Sequence, residues 1–280
     1  MTMTNAQSQL TVRELEVYGE QDPLPARLYT GGDPGTKRDG LLVFFHGGGF
    51  VEGSLDDSDL FLRHIANRMP GYVVLASSYT RATVRPFPAA AEDAHAVLMW
   101  AKKHKARLGW TGKRMVASGI EAGANLAAVC SLMARDRGAP QLAGQVLIMP
   151  MLDPALSSGS MRELPKECNR GVADSCAASY RGYLPNPADR AHPYASPLQS
   201  SRLRNLPPAL VVSLENDPLC DEAEQYGAKL MSCGVAATIR RLAPVLLRDP
   251  AAREECACKA AALDTVCEFL SSLEASSSPT

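Results

Sequence analysis

The chain has 280 residues, 46% of them hydrophobic and 21% charged, and its 29 basic and 30 acidic side chains leave a formal net charge of -1. That is a globular composition, and its scattered lysines and arginines form no basic stripe, which excludes nucleic acid as an expected partner. Residues Met1 to Ser8 hold no basic segment followed by an apolar run, and no stretch reaches the roughly 18 apolar residues of a membrane span, so a cytoplasmic protein is expected. None of the eight cysteines forms a C-x-x-C pair, and Cys256-Ala257-Cys258 has no nearby histidine. They read as small core residues, and neither a metal nor a cofactor is expected.

In chain order, Arg13 to Tyr18 and Ala26 to Tyr29 flank Gln21-Asp22-Pro23 and predict an antiparallel hairpin. Five apolar runs then predict buried strands: Leu41 to Phe45, Val73 to Ser77, Arg114 to Ser118, Gln145 to Met149 and Ala209 to Ser213. Helices are expected over Asp57 to Met69, Pro88 to Lys105, Ala122 to Arg135, Asp221 to Cys233 and Pro250 to Leu273, the last capped by Asp249. Strand and helix in alternation imply an α/β fold, a mostly parallel central sheet covered by helices on both faces. Between Asp153 and Pro208 the rhythm stops around one weak helical stretch, Ala173 to Tyr183, so residues 153–208 are expected to form a cap-like insertion and connection. The whole chain, 1–280, is taken as a single domain, with residues 275–280 as a frayed Ser-rich tail.

Three segments carry chemistry. His46-Gly47-Gly48-Gly49-Phe50 follows the Leu41 to Phe45 strand directly, and its glycines can turn the chain while leaving backbone N–H groups bare, as an oxyanion site requires. Gly119-Ile120-Glu121-Ala122-Gly123 joins a strand to a helix with glycines two before and two after Glu121, the spacing of a G-x-S-x-G elbow whose nucleophile position holds glutamate. Asp217 follows the Ala209 to Leu214 strand, where the acid of a Ser, Asp, His order belongs.

These segments resemble the α/β-hydrolase fold and, within it, the hormone-sensitive-lipase-like esterases. That family's H-G-G-G-F, Y-R-L-A-P-E-x-P-F-P-A-A-x-E-D, G-D-S-A-G-G-N and D-P-L-R-D-E motifs correspond to His46 to Phe50, Tyr79 to Asp93, Gly119 to Asn125 and Asp217 to Glu222. The resemblance implies oxyanion donors at the backbone amides of Gly48, Gly49 and Ala122, an acid at Asp217, and a ligand pocket bordered by His46, Gly47 and Phe50. The same alignment of motifs puts the family's nucleophilic serine on Glu121 and its histidine on Leu247, which is inert. None of the five histidines, His46, His64, His95, His104 and His192, follows Asp217. Thr80, Val84 and Ile120 also replace charged residues of the family's motifs.

Serine attack needs a base within hydrogen-bond reach, and a leucine accepts no proton. The leading expectation is therefore a triad-degenerate member, a pseudoenzyme that keeps scaffold and pocket and binds a small ester-like or acyl ligand, or a partner. The alternative is a hydrolase, lyase or isomerase that uses Glu121 with Asp217 as nucleophile or acid/base pair. Only ten residues precede Thr11, so an open pocket covered mainly by the insertion is expected. A homodimer through the edge strand Ile239 to Leu242 follows by analogy with the family.

Overall fold

The computed structural model describes residues 10–163, 171–243 and 257–275. Thr11–Tyr18 (β1) and Pro23–Thr30 (β2) form the expected hairpin, registered from Thr11 against Thr30 to Tyr18 against Pro23. β2 then pairs antiparallel with Tyr72–Ser77 (β4). Gly40–Phe45 (β3), β4, Arg114–Ile120 (β5), Gly144–Ile148 (β6), Ala209–Leu214 (β7) and Ala237–Leu242 (β8) run parallel to one another. The eight strands lie in the order β1-β2-β4-β3-β5-β6-β7-β8, an α/β sheet with β1 and β8 at its edges.

The five predicted apolar runs are strands because helices cover them on both sides. Every residue of β3, β4, β6 and β7 is buried, which is why they read as continuous rather than alternating hydrophobic segments. Asp59–Arg68 (α1) and Ala257–Ala275 (α8) pack on one face, where Leu62, Ile65 and Leu270 meet Leu42, Val74 and Val116. Ala89–Lys103 (α2), Ala122–Arg137 (α4) and Cys220–Ser232 (α7) pack on the other, where Val97, Leu126 and Tyr226 meet Leu41, Val43 and Val211. Each such aliphatic side chain withdrawn from water contributes about 1.5–3 kcal/mol before conformational entropy is subtracted.

Helix ends depart from the sequence expectation where local chemistry intervenes. The helix expected over Pro88 to Lys105 stops at Lys103, and Lys105–Leu108 (α3) is a separate turn closed by Gly109 at φ 71. The segment from Asp57 begins as a 3-10 turn, Asp56–Ser58, before α1. Asp249 and Pro250, expected to start the last helix, lie outside the described residues; Ala275, assigned to the frayed tail, instead closes α8. The connection from β6 to β7 carries Gly159–Glu163 (α5), the predicted helix as Val172–Tyr183 (α6), and two 3-10 turns, Pro187–Ala191 and Pro197–Gln199. No helix among the described residues is long and apolar enough to cross a membrane. The chain leaves the C-terminal ends of β3, β5 and β7 into the glycine loop, Glu121 and Asp217, the end of a parallel sheet where ligands bind.

Candidate active site

The sharp turn from β5 into α4 is built by two glycines that have no room for a side chain. A Cβ on Gly119 would lie 2.3 Å from the Gly123 carbonyl carbon, and one on Gly123 would lie 2.0 Å from the Phe45 carbonyl oxygen. Between them Glu121 sits at φ 52 and ψ -114, a conformation that is strained for any residue but glycine. Hydrogen bonds on both sides hold it there. The Glu121 N–H donates to the Ile148 carbonyl at 3.0 Å, and its own carbonyl accepts from Asn125 N–H at 3.0 Å and Met151 N–H at 3.2 Å.

The Glu121 carboxylate reaches the glycine loop. Its Oε2 lies 3.4 Å from the Gly48 amide nitrogen, which donates to it, and beside Gly47, where an added Cβ would be 3.1 Å from the same oxygen. At that distance the hydrogen bond is weak, and the attraction is mainly between charge and amide dipole. Gly48 and Gly49 sit at φ +90 and +59, and the Gly48 carbonyl accepts from the N–H groups of Val51 and Glu52, so the loop is closed on itself. Ala122 opens α4, and its amide belongs to the first-turn N–H groups that lack an intrahelical partner.

His46 and Phe50 brace this loop. The His46 ring is buried and stacked on Tyr79 at 4.4 Å between centroids, with Nδ1 2.8 Å from the Gly47 carbonyl. Burial lowers its pKa, and it stands as a neutral support. The Tyr79 hydroxyl donates to the His46 and Gly47 carbonyls, 3.2 Å from each. Phe50 is fully buried and stacks at 3.8 Å and 4° on Tyr183 of α6, so its ring offers no exposed surface to a ligand. The cap helix also touches Gly49, where a Cβ would meet Ser179 Oγ at 2.1 Å.

Asp217 is 3% exposed, in the turn between β7 and α7, where its Oδ1 accepts the Leu219 N–H at 2.8 Å. Leu247, the expected histidine position, lies outside the described residues. Among the described residues no group of three His, Cys, Asp or Glu side chains could hold a metal ion.

Three residues inside the quoted motifs carry structure that the motif reading left unassigned. Asn125 is fully buried and donates through Nδ2 to the carbonyls of Met151 at 2.7 Å and Ala195 at 3.2 Å, tying the elbow helix to the insertion. Asp93 accepts the Glu20 and Thr80 N–H groups, each at 2.9 Å, and so joins the hairpin to the segment after β4. Glu222 is fully buried and accepts the Leu152 N–H at 2.9 Å. A polar residue kept at a buried helix position was the available signal for all three. Ser179 carried none, because only folding brings it to Gly49.

The family pattern described as alpha/beta hydrolase fold matches residues 42–246. The arylesterase of Saccharolobus solfataricus is 33% identical over 225 residues, 80% of this chain and 72% of that one. The carboxylic ester hydrolase LipN of Mycobacterium tuberculosis is 34% identical over 245 residues, 86% of this chain and 64% of its own length. Among solved structures, a hyperthermophilic esterase from Pyrobaculum calidifontis superimposes with a TM-score of 0.85 at 36% identity, covering 94% of this chain and 86% of that one. With the elbow, the glycine loop and the acid turn at the ends of β5, β3 and β7, the chain belongs to the α/β-hydrolase fold family, in its hormone-sensitive-lipase-like, esterase-related branch.

Proposed function

We propose that this chain keeps the esterase scaffold and cleft without serine-hydrolase chemistry, as a triad-degenerate member that binds a small ester-like or acyl ligand, or a partner. The observation that carries the reading is Glu121 at the elbow, with its Oε2 facing the Gly48 amide. An amide placed to receive a developing oxyanion meets a fixed negative group instead, and the two-electron attack that serine would make has no hydroxyl to start from. The sequence supplies no histidine after Asp217 to take a proton, with Leu247 at the corresponding position. The relatives are named as esterases, so a loss of ester hydrolysis is a departure from them and is testable as one.

The test is hydrolysis of p-nitrophenyl butyrate by the wild type, Glu121→Ser and Glu121→Ser/Leu247→His. Turnover confined to the double variant is the expected result. Turnover by the wild type that disappears in Glu121→Ala would overturn the reading. A second reading, in which Glu121 with Asp217 acts as nucleophile or acid/base pair, is favoured by one observation: the strained backbone at Glu121 is retained, as at sites where strain serves a reaction. It expects Glu121→Gln to abolish a turnover while leaving the melting temperature nearly unchanged. A second copy of the chain pairing along the edge strand β8 would give the homodimer, and sedimentation in the analytical ultracentrifuge measures it directly.

A further inference from the structure

Beneath the acid turn lies a cluster of buried acidic groups that the reading above does not use. Glu222 comes from the first turn of α7 and has no solvent exposure. Its Oε1 accepts the Leu152 N–H at 2.9 Å, while its Oε2 is buried with no hydrogen-bond partner. Asp153, 1% exposed in the connection after β6, and Asp217, 3% exposed after β7, are its acidic neighbours. From α6, the Tyr180 hydroxyl is fully buried, also without a hydrogen-bond partner, and Glu222, Cys176 and Asp153 are among its acidic neighbours.

Asp153 is already committed as an acceptor. It takes the N–H groups of Ala155 and Ser157, the Ser157 hydroxyl at 2.6 Å and the Gln199 amide. Asp217 takes the Leu219 N–H. Glu222 is met by backbone N–H groups, Leu152 at 2.9 Å on Oε1 and the adjoining Asp153, and its Oε2 stays without a hydrogen-bond partner. A carboxyl wholly withdrawn from water, with one oxygen unpartnered and two acidic neighbours, is not held as an anion and keeps its proton.

We propose that Glu222 is a neutral buried acid and a positioning residue. Its Oε1 fixes the Leu152 peptide, and its Oε2, buried without a partner, carries the proton. From Leu152 the frame continues to the elbow: the Met151 N–H donates to the Glu121 carbonyl at 3.2 Å, and Asn125 Nδ2 donates to the Met151 carbonyl at 2.7 Å. The Leu152 carbonyl in turn accepts from the Ser196 hydroxyl at 3.2 Å and the Leu198 N–H at 3.4 Å. Acid turn, elbow and insertion are joined through one peptide segment, and Glu222 holds its centre. Burial, reinforced by Asp153 and Asp217, raises the Glu222 pKa well above the usual carboxylate range, in keeping with the neutral form.

The linkage has a definite sign. A carboxyl whose folded pKa exceeds its unfolded value binds its proton more tightly in the native state. Its contribution is therefore full below the unfolded value and is lost as pH rises toward the folded one. Glutamine keeps a carbonyl for the Leu152 N–H and a donor in place of the acid proton, but does not titrate. The experiment compares melting temperatures of the wild type and Glu222→Gln from pH 5 to pH 8. Glu222→Gln is expected to gain on the wild type as pH rises, on the order of 3 °C per pH unit within the titration window. A pH-independent difference, or a glutamine variant that loses ground as pH rises, would mean an ionised Glu222 and overturn the proposal. Infrared difference spectra at pH 7 should show a protonated-carboxyl carbonyl band in the wild type that is missing in Glu222→Gln; its absence from the wild type also overturns it. Positioning is read by hydrogen exchange at the Leu152 and Met151 amides, which should be preserved in Glu222→Gln and accelerated about tenfold or more in Glu222→Leu. Equal protection in all three proteins would remove the positioning role. These readouts do not depend on whether Glu121 reacts, so their failure leaves the esterase assay untouched.

Discussion

Glu121 and Glu222 grip the same short segment after β6 from opposite sides, one through its backbone carbonyl on Met151 N–H and the other through its side chain on Leu152 N–H. The elbow side is a matter of backbone: two glycines, a positive φ and three main-chain hydrogen bonds fix the turn, and the side chain on top is partly exposed. The acid side is a matter of side chains, with Glu222, Asp153 and Asp217 all buried and each taking backbone N–H donors. A turn built from main chain keeps its shape whatever side chain it displays, so a serine-type elbow can present glutamate without refolding. A turn built from buried carboxyls has no such latitude, and its residues match the family motif at Asp217, Asp221 and Glu222.

The contrast can be broken most severely at the elbow's narrowest point. Gly123→Val forces a branched side chain into the Phe45 carbonyl, and it is expected to cost about 3 kcal/mol or more, measured as the midpoint of urea unfolding. Asn125→Leu comes next. It removes the donors to the Met151 and Ala195 carbonyls and leaves both buried acceptors unpaired, for an expected loss of about 2–3 kcal/mol. Tyr79→Phe sharpens the comparison with the smallest change. It deletes only the hydroxyl that donates to the His46 and Gly47 carbonyls, with an expected loss of about 1 kcal/mol and faster hydrogen exchange in the glycine loop. If Tyr79→Phe destabilised the protein more than Asn125→Leu, the glycine loop and not the elbow helix would be the more costly of these two to disturb.

Much of this was legible in the sequence, for a physical reason that differs by region. The strands were visible because burial on both faces demands continuous apolar runs, as in Leu41 to Phe45. Gly119 and Gly123 were visible because a strand-to-helix turn this tight tolerates nothing larger. Helix ends were less so: whether the chain breaks at His104 is decided by a local φ of -104 that no periodicity encodes. The ring of Phe50 read as pocket lining, and packing turned it instead onto Tyr183 of α6, 133 positions along the chain by simple subtraction of their numbers. Such long-range partnerships leave no trace in either residue's neighbours. The same holds for Ser179, ordinary in its helix and decisive only against Gly49.

That last contact sets a rule for anyone exchanging caps between relatives of this fold. Ser179 and Gly182 present the glycine loop with two small residues three positions apart, the first against Gly49 and the second against Val51, where even a methyl on Gly182 would come within 3.0 Å. A helix transplanted there must keep the same close fit over Gly49 and Val51, or one side of the contact has to give way.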